Sequence, residues 1–142
     1  MDSMKKLLLA SLIAIALVCT GCTGNASSSG NNGNSGQKAE YKKITAEEAK
    51  KIMDGKDPYI LLDVRTEAEY KEQHITGAVL LPSDEIKSKA ASQLPDKDAI
   101  ILVYCRSGNR SAQAAKALID LGYTRVYDFG GITNWPYETE KG

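Results

Sequence analysis

A single short segment holds the residues whose types and spacing could do chemistry. It lies between an apolar run over residues 99–104 and a stretch with helical spacing that begins near residue 110. A cysteine thiolate is a strong nucleophile, and arginines beside it would stabilise its negative charge. The segment therefore indicates covalent catalysis by its cysteine. Its six residues are Cys105, Arg106, Ser107, Gly108, Asn109 and Arg110.

The pKa of Cys105 decides how much nucleophile is present. A free cysteine with a pKa of about 8.5 is only about 3% thiolate at pH 7, whereas a pKa near 6.5 would make it roughly three-quarters ionised. That difference corresponds to about 2.7 kcal/mol, and a helix N-terminus supplies only about 0.3 to 1 kcal/mol. We expect Arg106, Arg110 and the loop N–H groups to supply the rest, with Gly108 permitting the turn.

The apolar pattern around this segment predicts an α/β fold. Residues 59–62 and 99–104 form uninterrupted runs, as in strands buried on both faces, and residues 78–81 and 125–129 are further candidate strands. Strands that alternate with helices build a parallel sheet, so Cys105 should lie at the carboxyl end of a strand. Apolar residues recur at helical spacing at Ile86, Ala90 and Leu94, and again at Ala112, Ala115, Leu118 and Ile119.

Helix ends are marked as well. Thr45 with Glu48, and Thr66 with Glu69, have the spacing of a capping box, which predicts a helix start at each. Gly122 is placed to end the helix that follows Cys105. Together with the apolar runs, these signals predict one folded domain over residues 39–142.

The N-terminal residues predict export and lipid anchoring. Two lysines precede the apolar residues 7–18, a stretch that has the shape of a signal peptide and is shorter than the roughly 20 residues of a membrane span. The sequence Cys19-Thr20-Gly21-Cys22 resembles a bacterial lipobox, with Cys19 at the position that is usually aliphatic. We predict a lipoprotein signal peptide over residues 1–21, acylation of Cys22, and an extracytoplasmic protein held on a bacterial membrane through this anchor only. Cleavage without lipidation is the alternative.

Residues 22–38 are rich in Ser, Gly and Asn and have almost no apolar group to bury, which predicts a flexible tether. Once Cys19 is removed and Cys22 acylated, Cys105 would be the only free thiol. The formal net charge is zero, so electrostatics give no case for nucleic acid. The sequence has one histidine and no cluster of cysteines, so it lacks the ligands that a metal site would need. We predict neither a metal nor a cofactor.

Several ordered motifs resemble those of the rhodanese family. C-R-S-G-N-R resembles its active-site loop, Leu62-Asp63-Val64-Arg65 its L-D-V-R motif, and Glu69-Tyr70 with residues 74–78 its E-[FY]…G-H-I-x-G-A pattern, with Gln73 in place of the glycine. Gly130-Gly131-Ile132 with Trp135 matches its C-terminal motif. The resemblance spans residues 41–137 and implies a parallel sheet of about five strands with helices on both faces.

The chemistry that this resemblance implies is sulfur transfer through Cys105. The cysteine would take the outer sulfur of a small anionic donor such as thiosulfate, or of a persulfide, and pass it to a thiol, to a cyanide-like acceptor or to a protein. A carrier or sensor that serves one partner protein is the alternative. A cysteine-dependent phosphatase is a weaker alternative, because related phosphatases use C-x5-R whereas this loop is C-x4-R, too narrow a ring of N–H donors for phosphate.

The remaining site residues are expected to support the loop. The resemblance implies that Arg110 holds the loop in shape, paired with a carboxylate such as Glu69. Asp63 and Arg65 follow a buried strand, where they could pair; Asp63 could instead cap the turn, and Arg65 could reach the substrate or the loop. We expect structural hydrogen bonding from the only histidine, His74, a tight turn at residues 130–131, and packing of Trp135.

Overall fold

The computed structural model of the protein describes residues 39–142. The predicted signal peptide over residues 1–21, the lipidation site Cys22 and the predicted tether over residues 22–38 lie outside the described residues. Within them, no helix has both the length and the apolar character needed to cross a membrane.

Five parallel strands form the main sheet, in the order β1-β6-β5-β2-β4. This is the predicted α/β architecture of a five-stranded parallel sheet with helices, and the structure confirms it. The strands are β1 (Lys42–Lys43), β2 (Tyr59–Asp63), β4 (Val79–Leu80), β5 (Ile100–Cys105) and β6 (Arg125–Gly131). β5 lies at the centre, between β2 and β6, so its carboxyl end is flanked by neighbours on both sides.

A second, antiparallel pair of strands joins the C-terminus to the middle of the chain. β3 (His74–Ile75) pairs with β7 (Thr139–Glu140), and a 3₁₀ turn at Ile132–Asn134 lies between β6 and β7. These strands and β1 have two residues each, too few for a recognisable period, so the sequence pattern did not predict them.

Four helices connect the strands: α1 (Ala46–Met53), α2 (Glu67–Glu72), α3 (Ile86–Gln93) and α4 (Asn109–Asp120). α1 and α2 begin at the predicted capping boxes, in each of which the N-cap threonine accepts the N–H of the glutamate three residues on and that glutamate accepts the N–H of the threonine. Gly122, with a φ of 94°, follows the end of α4 as predicted.

The two faces of the sheet bury different sets of residues. Along β5, Ile101, Val103 and Cys105 pack into a core beneath α3 and α4, whereas Ile100, Leu102 and Tyr104 pack into a core beneath α1 that includes Trp135. Because side chains of a strand alternate between faces, neighbours in the sequence serve opposite cores. Cys105 therefore faces α4, the helix that begins just after it.

The prediction of a tight turn at Gly130 and Gly131 is wrong. Both residues belong to β6, with an irregularity in the register where Val103 pairs with Asp128 and Cys105 with Gly131. Gly130 has a φ of 90°, a conformation that glycine adopts without strain, so the strand bends while it continues beside the end of β5.

Candidate active site

Cys105 is the last residue of β5 and has only 1% of its surface exposed. The prediction that the strand ends at Tyr104 is therefore off by one residue. The chain turns immediately after Cys105, and α4 begins at Asn109. This short turn brings the first N–H groups of α4 back over the sulfur, where the positive end of the helix favours a negative charge.

Hydrogen bonds to the sulfur favour the thiolate. The Gly108 N–H donates to Cys105 Sγ at 3.0 Å, and Ser111 Oγ lies 3.6 Å from Sγ. Burial alone would raise the pKa of Cys105, but the Ser111 hydroxyl and the N–H groups of Ser111, Gly108 and Ser107 outweigh it, so that the pKa is lowered. The expected cradle of N–H groups is thus present around the sulfur.

Gly108 gives the loop its shape. Its φ of 106° lies in the left-handed region, which other residues rarely adopt, and it immediately precedes α4. A Cβ there would lie 3.4 Å from the Cα of Gly130, so the loop also passes close to β6. The residues on either side, Ser107 and Asn109, have exposed side chains, in keeping with a contribution through the backbone.

Arg110 is held by Glu69 in a two-point ion pair. Its Nη1 and Nη2 donate to Glu69 Oε2 and Oε1 at 2.8 and 2.7 Å. Glu69 Oε2 also accepts the N–H of Thr66 at 3.0 Å, so one carboxylate closes the capping box of α2 and holds the first turn of α4. The hydrogen bonds from Arg110 lower the pKa of Glu69 to about 2.

Arg106 combines a fixed backbone with an unengaged side chain. Its carbonyl accepts hydrogen bonds from the Thr133 N–H at 3.3 Å and from Thr133 Oγ1 at 3.0 Å. A Cβ on Gly131 would lie 2.2 Å from the same carbonyl, so only glycine fits there. The Arg106 residue is exposed, and its guanidinium has no partner among residues 39–142, so its charge is not neutralised by a carboxylate of the described domain.

Asp63 and Arg65 pair with each other on the other face of the sheet. Arg65 Nε and Nη2 donate to Asp63 Oδ1 and Oδ2 at 2.9 and 2.6 Å, and Nη2 also donates to the Gln73 carbonyl. Tyr104 donates to Asp63 Oδ2 at 2.7 Å and accepts the Ile75 N–H at 3.1 Å. Arg65 thus holds β2, α2 and β3 together and makes no hydrogen bond to the loop, in contrast to one of the expectations from the sequence.

His74 has a structural position. Its Nδ1 lies 2.9 Å from the Tyr70 carbonyl, its ring stacks on that of Tyr70 at 3.8 Å, and its Nε2 lies 3.2 Å from Glu140 Oε1. It makes no hydrogen bond to Cys105, so the pair does not form the base and nucleophile of a protease-like site. In residues 39–142, no group of three or more His, Cys, Asp or Glu side chains could hold a metal ion.

Three residues around the sulfur loop were not singled out as site residues from the sequence. Ser111 contacts Cys105 Sγ, Thr133 holds the Arg106 carbonyl, and Asp128 accepts the N–H of Gly130 at 2.9 Å. The only signal for Ser111 is that it directly follows the closing arginine. Thr133 and Asp128 come from another strand and its following turn, and no spacing in the sequence links them to the loop.

The chain is similar to rhodanese-type proteins over almost all of this domain. The family described as "Rhodanese-like domain" matches residues 45–137. Thiosulfate sulfurtransferase PspE of Escherichia coli is 37% identical over 57% of this chain and 78% of its own length. Thiosulfate sulfurtransferase GlpE of Coxiella burnetii is 33% identical over 67% and 87%. The putative sulfur carrier protein YrkF of Bacillus subtilis is 34% identical over 69% and 52%.

Solved structures agree on the fold. A solved structure of rhodanese with anions from Escherichia coli has 35% sequence identity and a TM-score of 0.57, covering 60% of this chain and all of the other. A rhodanese-like domain protein from Staphylococcus aureus has 32% identity and a TM-score of 0.61, covering 71% of this chain and 98% of the other. With its parallel sheet, its cysteine loop and the match over residues 45–137, this chain belongs to the rhodanese-like family.

Proposed function

We propose that the protein is a sulfurtransferase that moves sulfane sulfur from thiosulfate or a persulfide donor to a thiophilic acceptor through a persulfide on Cys105. The observation that carries this proposal is the environment of Cys105. Its Sγ accepts a hydrogen bond from the Gly108 N–H at 3.0 Å and lies near the Ser111 hydroxyl, and the pKa of the thiol is lowered. Two relatives named thiosulfate sulfurtransferase, from Escherichia coli and Coxiella burnetii, support it.

The first half-reaction would load the sulfur. The Cys105 thiolate attacks the outer sulfur of thiosulfate and forms a sulfur–sulfur bond, while the bond to the sulfonate sulfur breaks and sulfite leaves with the electron pair. N–H groups that stabilise the thiolate also stabilise a negatively charged persulfide. The guanidinium of Arg106, exposed and without a partner in the described domain, would attract the sulfonate of the donor.

The second half-reaction would unload the sulfur. A thiolate or a cyanide-like acceptor attacks the outer sulfur of the persulfide, and the electron pair of the broken bond returns to Cys105 as thiolate. Cys105 already has a lowered pKa, so this leaving group departs without a proton donor. The cycle needs neither a metal nor a cofactor.

A carrier module is the alternative within the same chemistry. Such a protein would form the persulfide but release it only to one partner protein. The similarity to a protein named as a putative sulfur carrier supports the carrier alternative. Saturable turnover with thiosulfate and a small thiol acceptor would support the enzyme, whereas rapid loading with poor turnover would support the carrier.

The mass of the intact protein tests the persulfide directly. Purified protein is incubated with thiosulfate, freed of excess donor and weighed by mass spectrometry beside Cys105→Ala. We expect a gain of one sulfur atom, roughly 32 Da, in the unmodified sequence and none in the variant. Absence of the adduct with both thiosulfate and a persulfide donor would contradict the proposal and favour the phosphatase alternative.

We further propose that the domain is displayed outside the cytoplasm on a lipid anchor at Cys22, with residues 22–38 as the tether. The sequence Cys19-Thr20-Gly21-Cys22 after a charged and then apolar start supports this proposal. Expressed in a bacterial host with labelled palmitate, the protein should take up label and partition into detergent, and Cys22→Ser should do neither. Unlabelled protein in the soluble fraction would contradict anchoring while leaving the proposed chemistry intact.

A further inference from the structure

Asp128 is a buried carboxylate with no role in the chemistry described so far. It lies on β6, is completely inaccessible to solvent, and pairs in register with Val103 of β5. Its Oδ1 accepts the N–H of Gly130 at 2.9 Å, whereas its Oδ2 has no hydrogen-bond partner within residues 39–142. An apolar side chain would fill such a position at lower cost, so packing alone does not account for an aspartate there.

The backbone that Asp128 fixes leads directly to the sulfur. The Gly130 carbonyl accepts a hydrogen bond from Ser111 Oγ at 3.2 Å, and Ser111 Oγ lies 3.6 Å from Cys105 Sγ. Gly130 is also the glycine against which Gly108 packs. A shift of Gly130 would therefore disturb both the hydroxyl and the N–H group that contact the sulfur.

The Ser111 hydroxyl has one proton and several acceptors within reach. Besides the sulfur, it faces the carbonyls of Gly108 at 3.1 Å and Gly130 at 3.2 Å. When Cys105 is a neutral thiol, its S–H can donate to Ser111 Oγ, and the hydroxyl donates to a carbonyl. When Cys105 is a thiolate, the hydroxyl proton must turn to the sulfur. The position of the Gly130 carbonyl thus influences how readily the serine stabilises the thiolate.

We propose that Asp128 is a positioning residue for the sulfur-carrying site, which holds Gly130 so that Ser111 and Gly108 keep their contacts with Cys105. This inference rests on the proposed function, because the contacts that Asp128 maintains serve sulfur transfer only if the Cys105 thiolate carries the sulfur. Its acceptor oxygen, rather than its charge, does the positioning. An asparagine, which keeps a carbonyl oxygen for the Gly130 N–H, should therefore replace it.

The test compares Asp128→Leu, which lacks an acceptor but leaves no large cavity, with Asp128→Asn and Asp128→Ala in the full-length protein. The rate of alkylation of Cys105 by iodoacetamide is measured against pH. In the Leu and Ala variants we expect the apparent pKa of Cys105 to rise by about one unit, that is, about tenfold slower alkylation below the pKa. Asp128→Asn should remain within about 0.3 unit of the unmodified protein.

Tyr123→Phe is the matched control. The Tyr123 hydroxyl is buried beneath the same face of the sheet and donates to the carbonyls of Ala90 and Leu94, neither of which belongs to the loop. It should lower stability without moving the pKa of Cys105, which separates positioning from general loosening of the core.

Three results would overturn the inference: a Cys105 pKa unchanged in folded Leu and Ala variants, an equal rise in Asp128→Asn, or failure of both acceptor-free variants to fold, which would make Asp128 a folding residue. Alkylation requires no sulfur donor. A missing persulfide adduct in the unmodified protein would therefore count against sulfur transfer, and an unmoved alkylation profile would count against Asp128 alone.

Discussion

The ion pair between Glu69 and Arg110 predicts a contribution to stability that depends on pH. Lowering the pKa of Glu69 from 4.5 to about 2 corresponds to about 3.4 kcal/mol at about 1.36 kcal/mol per unit. The side chains of Arg110 and Glu69 keep 34% and 24% of their surface exposed, so solvent screening reduces this to about 1.5 to 2 kcal/mol. Glu69→Gln should cost that much at pH 7, because glutamine can still close the capping box but carries no charge.

The sign of the pH dependence follows from the lowered pKa. A carboxylate that is ionised more easily in the folded state stabilises the protein fully above its unfolded pKa, near 4.5, and loses that effect as the pH falls through about 2. The difference in the free energy of unfolding between the unmodified protein and Glu69→Gln should therefore shrink between pH 4.5 and pH 2. Urea unfolding followed by circular dichroism at several pH values measures it.

Glu48→Gln is the matched control for this experiment. Glu48 occupies the same position of the other capping box, where it accepts the N–H of Thr45 at 2.8 Å, and it has no ion pair among the described residues. It should cost less than about 0.5 kcal/mol at pH 7. Equal losses in the two variants, or a loss in Glu69→Gln that persists unchanged at low pH, would refute the argument that the charge of Glu69 stabilises the loop through Arg110.

Three further substitutions test other contacts of the site. Ser111→Ala should raise the apparent pKa of Cys105 by about one unit in an alkylation profile, because it removes a hydrogen bond to the thiolate; an unmoved profile would contradict this. Gly131→Ala should cost at least about 2 kcal/mol in urea unfolding and reduce sulfur transfer at least about tenfold, since its Cβ would meet the Arg106 carbonyl. Tyr104→Phe should cost about 1 to 3 kcal/mol, because it leaves Asp63 short of a donor, and should leave the alkylation profile unchanged.

Two of these substitutions, Ser111→Ala and Gly131→Ala, have a matched control in the chain. Ser107→Ala alters an exposed side chain of the same loop and should not move the pKa of Cys105. Gly77→Ala meets no atom within 4 Å although the φ of Gly77 is 83°; it should cost about 1 to 2 kcal/mol from backbone strain alone and leave activity unchanged. A fall in activity in Gly77→Ala as large as that in Gly131→Ala would show that the clash with the loop is not the cause.

Local signals in the sequence predicted most of what positions the cysteine. The capping boxes at Thr45 and Thr66 and the buried central strands came from patterns that span a few residues, and the structure shows each of them. β1, β3 and β7 are held by pairing with distant strands, and two residues give no period to detect. Their existence depends on the tertiary structure.

The same contrast between local signals and tertiary contacts applies to the residues around Cys105 Sγ. The loop and its closing arginine are contiguous in the sequence, so their chemistry could be anticipated. The contacts of Ser111 and Asp128 depend on how β6 passes beside the loop, which spacing does not encode. Paired glycines usually indicate a turn, which is why the sequence predicts one at Gly130 and Gly131. In the structure both residues belong to β6, and their lack of side chains lets the loop after Cys105 pass close to that strand.

The contact between Gly131 and Arg106 distributes evolutionary constraint unequally between its two partners. The atom that Arg106 contributes is a backbone carbonyl, which every amino acid has, whereas position 131 has no room for even one additional carbon. In a library of all single substitutions scored for abundance of folded protein, position 131 should accept glycine alone and position 106 nearly any residue. If the same library is scored for sulfur transfer, a loss of activity at position 106 would reflect only the contribution of the Arg106 side chain to binding the donor.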